Sequence, residues 1–292
     1  MKRPKEWLIE ALLSLSSFFT LLITLTVVGV LIFNAWGFFK VIGLTSFLTG
    51  TRWTPFFEDQ AFGMWPLLSG TLLTALIAML TALPIGLLIS IYLSEYANTA
   101  WRNIARPALD LLSAIPTVVY GFLALVFVTP ALQYFFPNLE RFNALSPGMV
   151  MGFMILPIIT SISEDAMRAV PTNLREAAFA MGASRWQVSW RVVLPAAFNG
   201  VTAALILAFS RALGETMIVS IAAGQQPQLT LNPAVAIQTA SSYIIQISLG
   251  DVDRSGLEYK TIFAVGLGLF LLTFALNNLS YWLRARFKKQ HP

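Results

Sequence analysis

Two charges stand inside one of the chain's long apolar runs. The stretch AFSRALGETMIV, residues 208–219, carries Arg211 and, four residues on, Glu215. An unpaired charge at the centre of a bilayer costs about 2.5–3.5 kcal/mol on insertion scales, so such residues are functional candidates by default. The i,i+4 spacing puts both on one face of a helix, where they neutralise one another. One use is an ion pair that fixes helix packing. The other is an anion site, because a guanidinium keeps its charge and presents a planar fork that matches the oxygens of a tetrahedral oxyanion. Glu215 then balances Arg211 when no anion is bound. Ala212 and Gly214 beside them are small enough to admit another helix or a ligand.

A second group of residues lies at 171–195, PTNLREAAFAMGASRWQVSWRVVLP. Pro171 and Asn173 open a short helix, and Asn173 with Glu176 has capping-box spacing. Leu174, Ala177, Ala178 and Met181 give it an apolar side, and Gly182 stops it. Ser184 with Gln187 repeats the capping-box spacing and starts a second helix that runs to Pro195. A helix-turn-helix of this kind can look like a DNA reader, but a loop tethered at both ends to apolar spans is badly placed for a duplex, and no nucleic-acid partner is expected. A solvated amphipathic loop is the plain reading. A dock for a partner protein is the sharper one, since Ala177, Ala178 and Gly182 leave one face low enough for a groove to admit it.

The elements that must position these residues are membrane helices. The chain has 292 residues, 57% hydrophobic and only 11% charged, far from the balance of a soluble domain. Six apolar segments near 12–36, 66–94, 108–132, 148–166, 196–223 and 260–284 are long enough to cross a bilayer. The first is too long for a signal-peptide core and is read as a retained helix. Lys2, Arg3, Lys5, Arg102, Arg106, Arg168, Arg175, Arg185, Arg191, Arg284, Arg286, Lys288 and Lys289 fall on one side, against Lys40, Arg52, Arg141, Arg254 and Lys260 on the other. The positive-inside rule therefore puts both termini and the 171–195 loop in the cytoplasm. Trp7, Trp36, Trp65, Trp101 and Trp282 fall near the expected interfaces. The fold class is all-α, a single polytopic membrane domain over 1–292.

Several chemistries are excluded. There is no cysteine, and the single histidine is His291, so disulfides, haem and cysteine-ligated metals have no ligands. No lysine follows a glycine, which rules out a P-loop, and neither G-x-S-x-G nor H-E-x-x-H occurs. No catalytic constellation or metal site is expected, and the chain is not read as an enzyme.

Glu176-Ala177-Ala178, then Gly182, then Val192-x-Leu194-Pro195 resembles the EAA signature of ABC importer permeases, with valine where the signature has isoleucine. The stretches at 62–97, LLSAIPTVVYGF (111–122), SRALGETM (210–217) and 257–286 are similar to the phosphate importer permeases, and the RALGETM form is similar to the PstC type. The resemblance runs from about residue 53 to the C-terminus. It implies a type I (MetI-like) permease fold in the bacterial inner membrane. It also implies a PstA-type permease, a dimer of PstB-type ATPase that holds ATP and Mg, and a PstS-type phosphate-binding protein. Glu176, Ala177, Ala178, Gly182, Leu194 and Pro195 would couple the chain to the ATPase. Arg211 and Glu215 would lie on the phosphate path, with Ser113, Thr117, Tyr120, Thr71 and Thr74 as weaker lining candidates. Glu215 can accept a hydrogen bond from a protonated phosphate oxygen, whereas sulfate has no such proton and is repelled. A permease for sulfate or molybdate is the alternative, and a stand-alone channel or membrane scaffold belongs to a different class.

Two features have plainer readings. Glu164 and Asp165 end the fourth apolar segment and are expected to be solvated or paired with Arg168. Gly70, Pro84, Gly86, Pro116, Gly121, Gly148, Gly152 and Pro157 are read first as close-packing positions and second as hinges. The loops at 37–65 and 224–259 are the longest on the other side. The latter carries a possible short surface or re-entrant helix, followed by Asp251, Asp253, Arg254 and Glu258, surface charges or a dock for an external protein.

Overall fold

A computed structural model describes residues 4–288, and Lys2, Arg3, Lys289 and His291 lie outside the described residues. Named strands are absent among the described residues, so the all-α expectation holds. Five helices are long and apolar enough to cross a membrane, or six if one bent pair counts as a span. The spans are α1 (Pro4–Ile42), α3 (Trp65–Ile91, continued by a π turn Tyr92–Tyr96), the segment Thr117–Phe135, α7 (Leu145–Arg168) and α14 (Leu257–Lys288). The bent pair joins Arg185–Ala196 to Phe198–Leu213 at 73°. A short α2 (Leu44–Thr49) follows α1.

Helix α7 is the centre of the bundle: 67% of its most apolar window is buried, against none of the corresponding window of α1. The apolar length of α1 is therefore left uncovered by the rest of this chain. Close approach of α3 to α7 depends on missing side chains. A Cβ on Gly152 would sit 2.8 Å from the Thr81 Cβ and 2.9 Å from the Ala78 carbonyl, and one on Gly148 would meet the Ile77 side chain at 2.7 Å. At these two positions glycine serves packing.

Two spans differ from their expected limits. The third does not begin at 108. An amphipathic helix α4 (Thr99–Ala114) with no buried residue comes first, capped by Asn98, whose side chain accepts the Trp101 N–H at 2.7 Å. The chain then turns extended at Ile115 (φ −67°, ψ 128°) before Pro116, as the proline ring disfavours helix in the preceding residue. The span proper is α5 (Thr117–Leu123), a π turn Ala124–Val128 and α6 (Thr129–Phe135).

The fifth segment, expected as one helix over 196–223, is two: α11 (Phe198–Leu213) and α12 (Met217–Ala222). The break at Gly214–Thr216 has a local cause. Glycine gives up helix at little steric loss, and the Glu215 carboxylate takes the backbone N–H groups that open α12.

The 224–259 loop contains α13 (Ala240–Leu249), with Ala240, Ser241, Ser242, Tyr243 and Ile247 buried. It packs against the bundle and is not a free surface helix. Its Tyr243 ring meets Trp53 edge-on at 5.0 Å and its hydroxyl meets the Thr261 hydroxyl at 2.6 Å. In the exposed turn beyond, the Ser255 backbone N–H and then its hydroxyl hold the Asp253 carboxyl below the usual range.

Candidate functional site

Arg211 lies in the last turn of α11, where the partial negative charge of the helix end favours a cation. Glu215 is outside the helix, in the break, yet folds back so that its Oε2 accepts from Arg211 Nη1 at 3.0 Å. Its other oxygen, Oε1, accepts the Met217 N–H at 3.2 Å and the Ile218 N–H at 3.5 Å. The Glu215 carbonyl accepts from the Ser241 hydroxyl of α13 at 2.6 Å. The expected pair is thus formed at i,i+4, with Arg211 in the last turn of α11 and Glu215 in the break beyond it. Its two members are unequal: the Glu215 side chain is 3% exposed and the Arg211 side chain 46%. The carboxylate is fixed on several sides, while the guanidinium keeps an open face, with Met154 Sδ 3.9 Å from its Nη2.

Most of the hydroxyl candidates make bonds of their own. Thr71 donates to the Leu67 carbonyl at 2.7 Å and accepts the Ala240 N–H at 3.0 Å, so it anchors α13 to α3. Thr74 is buried and bonded to the Gly70 and Thr71 carbonyls. Ser113 is exposed on α4 and donates to the Asp110 carbonyl at 2.8 Å. Tyr120 donates to the Leu112 carbonyl at 2.6 Å, closing the α4–α5 break. Thr117 is half-buried at the start of α5.

The 171–195 loop forms α8 (Thr172–Ala180), α9 (Arg185–Val188), a π turn Ser189–Val193 and α10 (Leu194–Ala196). The Ser184–Gln187 capping box is present, at 2.8 and 3.4 Å. The Asn173–Glu176 box is absent, because α8 starts at Thr172 with Pro171 as its N-cap and Asn173 already inside the first turn. Gly182 has φ +83°, with no atom within 4 Å of an added Cβ; its glycine serves the left-handed backbone, not space. Glu176 and Ala177 are exposed and Ala178 is partly buried. Leu194 is partly buried and Pro195 exposed, just before the bend into α11. Leu174, Phe179, Met181 and Trp186 are exposed apolar side chains on this loop, Met181 by 88%.

An ionic cluster at this loop end was not legible in the sequence beyond the charges themselves. Arg175 of α8 holds Glu95 at two points, 3.0 and 3.2 Å, and also donates to the carbonyls of Met167 and Val170 at the end of α7. Glu164 is fully buried, with Arg102 Nε at 3.3 Å and Arg168 at 3.9 Å. Arg102 also donates to the Leu93 carbonyl, through Nε at 3.0 Å and Nη2 at 2.9 Å. Asp165 does not pair with Arg168. It takes Arg106 at 2.8 Å, because α4 packs along α7, and that hydrogen bond chiefly raises the Arg106 pKa.

A profile of the family described as "Binding-protein-dependent transport system inner membrane component" matches residues 82–289. The chain belongs to that family. The permease is 34% identical over 242 residues to the "Probable ABC transporter permease protein YqgH" of Bacillus subtilis (strain 168), covering 83% of this chain and 78% of that protein. It is 32% identical over 294 residues to the "Phosphate transport system permease protein PstC" of Pasteurella multocida (strain Pm70), covering 93% and 89%. A solved "bacterial ABC transporter involved in the import of the acidic polysaccharide alginate" shares its fold, with a TM-score of 0.66 at 20% identity over 97% of this chain and 96% of that one. The permease is thus a multi-pass membrane transport component of the ABC importer class, not an enzyme.

Proposed function

We propose that this permease forms half of the inorganic phosphate path of an ATP-driven importer in the bacterial inner membrane. The observation that carries this reading is Arg211, a half-exposed guanidinium held at a helix break by a buried carboxylate. Phosphate approaching its open face gains charge-assisted hydrogen bonds, and Glu215 restores neutrality after it leaves. Similarity to phosphate transport permeases over most of the chain supports the substrate. The gathering of Arg102, Arg106, Arg168 and Arg175 at the loop end supports a cytoplasmic loop and cytoplasmic termini.

The partners are a PstA-type permease, a PstB-type ATPase dimer holding ATP and Mg, and a PstS-type binding protein. The exposed apolar side chains of α8 and the Gly182 turn dock in the ATPase. When ATP binding moves that subunit, Arg175 transmits the motion to the ends of α3 and α7, and the bundle exposes the Arg211 site outward.

The test is uptake of labelled phosphate by the reconstituted complex. Arg211→Gln should abolish uptake while assembly and some ATP hydrolysis persist. Uptake near the wild-type rate would take Arg211 off the path, and preferential uptake of sulfate would reassign the substrate.

A further inference from the structure

Behind the loop helices lies a second basic site that shares no residue with the Arg211 pair. It is an open cavity of about 340 Å³ whose lining includes Ser94, Glu95, Arg168, Thr172, Arg175 and Arg185. The charges there do not cancel. Arg175 is spent on Glu95 and two backbone carbonyls, and Ser94 donates to the same Glu95 at 2.8 Å. Arg168 has only the distant Glu164 contact, at 3.9 Å, and that carboxylate has Arg102 closer, at 3.3 Å. Arg185 has no side-chain partner among the described residues. Three guanidinium groups therefore line a cavity that offers them one carboxylate.

We infer that this cavity binds a phosphate-type oxyanion, bridging Arg168 at the end of α7 to Arg185 at the start of α9. A compact dianion with several acceptor oxygens supplies what two arginine forks lack. The bridge would tie the loop to the bundle across the joint that must flex in coupling. If the loop is cytoplasmic, as the proposed function has it, an imported phosphate ion binds there as product and slows further uptake. The binding itself does not depend on that reading.

The chain contains no cysteine, so Thr172→Cys creates one thiol in this subunit, and its rate of maleimide labelling in the assembled complex reports occupancy without any transport. In phosphatidylcholine nanodiscs, inorganic phosphate at ten times its Kd should slow labelling about tenfold by mass action, while chloride at equal ionic strength does not. Arg168→Gln with Arg185→Gln should remove the protection, and Arg168→Lys with Arg185→Lys should restore part of it in a complex shown to assemble. Protection that needs phosphatidylglycerol and no added phosphate assigns the same chemistry to a lipid headgroup. Equal protection by chloride, persistence in the glutamine variant, or a thiol blocked by the ATPase alone with no effect of either phosphate source would overturn the proposal.

Discussion

Arg175 and Glu95 face each other across the joint between the loop and the bundle, joined at 3.0 and 3.2 Å with their side chains 16% and 10% exposed. Removing one partner of a buried pair leaves the other unpaired and costs about 3–5 kcal/mol. The two residues are not equivalent, because Arg175 also satisfies carbonyls of Met167 and Val170. Arg175→Gln should therefore lower the unfolding temperature of the purified complex more than Glu95→Gln, and the double variant should lose less than the two single losses added together. Equal losses that simply add would show that the pair is not coupled.

At Gly182 the backbone and the partner can be separated. Alanine there pays about 1–2 kcal/mol for the left-handed conformation alone, and no atom of this chain waits within 4 Å of its Cβ. Gly182→Leu should match Gly182→Ala in the isolated permease but raise the ATP consumed per phosphate transported in the full complex. If alanine and leucine are equally coupled, nothing docks at that turn.

Gly152 offers the opposite case, where space decides. Gly152→Val places atoms against Thr81 and the Ala78 carbonyl, and overpacking of this kind costs about 1–3 kcal/mol. Thermal unfolding should show that loss, with Gly29→Ala as a control, since an added Cβ at Gly29 meets nothing within 4 Å.

Ser241→Ala removes the hydroxyl that holds the Glu215 carbonyl at 2.6 Å. A hydrogen bond of this kind is worth about 1 kcal/mol net, too little to stop assembly. Phosphate uptake should nonetheless fall, because Glu215 sets the position of Arg211. Uptake unchanged in Ser241→Ala would separate α13 from the path.

The membrane helices and the loop were legible because hydropathy and positive charge act over many residues and need no knowledge of neighbours. Ser184–Gln187 was legible for the opposite reason: a capping box closes within three residues. The Asn173–Glu176 box failed although its spacing was right, since Pro171 had already fixed the entry to α8. The break at Gly214–Thr216 was hidden because its cause is tertiary as well as local: Ser241 reaches it from α13, distant in sequence. Glu164 shows the same limit. It was expected to be solvated or paired with Arg168; the Arg168 contact forms at 3.9 Å, while the closer Arg102, at 3.3 Å, comes from the packing of α4 over α7 and was not legible.

One consequence lies in α13. Its neighbours Ala240 and Ser241 hold different parts of the bundle, Thr71 of α3 by the backbone N–H and the broken fifth span by the hydroxyl. Two adjacent residues are thus stitched to α3 and to the break in the fifth segment, so these two elements cannot part at this level without losing one of the bonds. A contact that shifted α13 would therefore act on α3 and, through the Glu215 carbonyl, on the residue that holds Arg211.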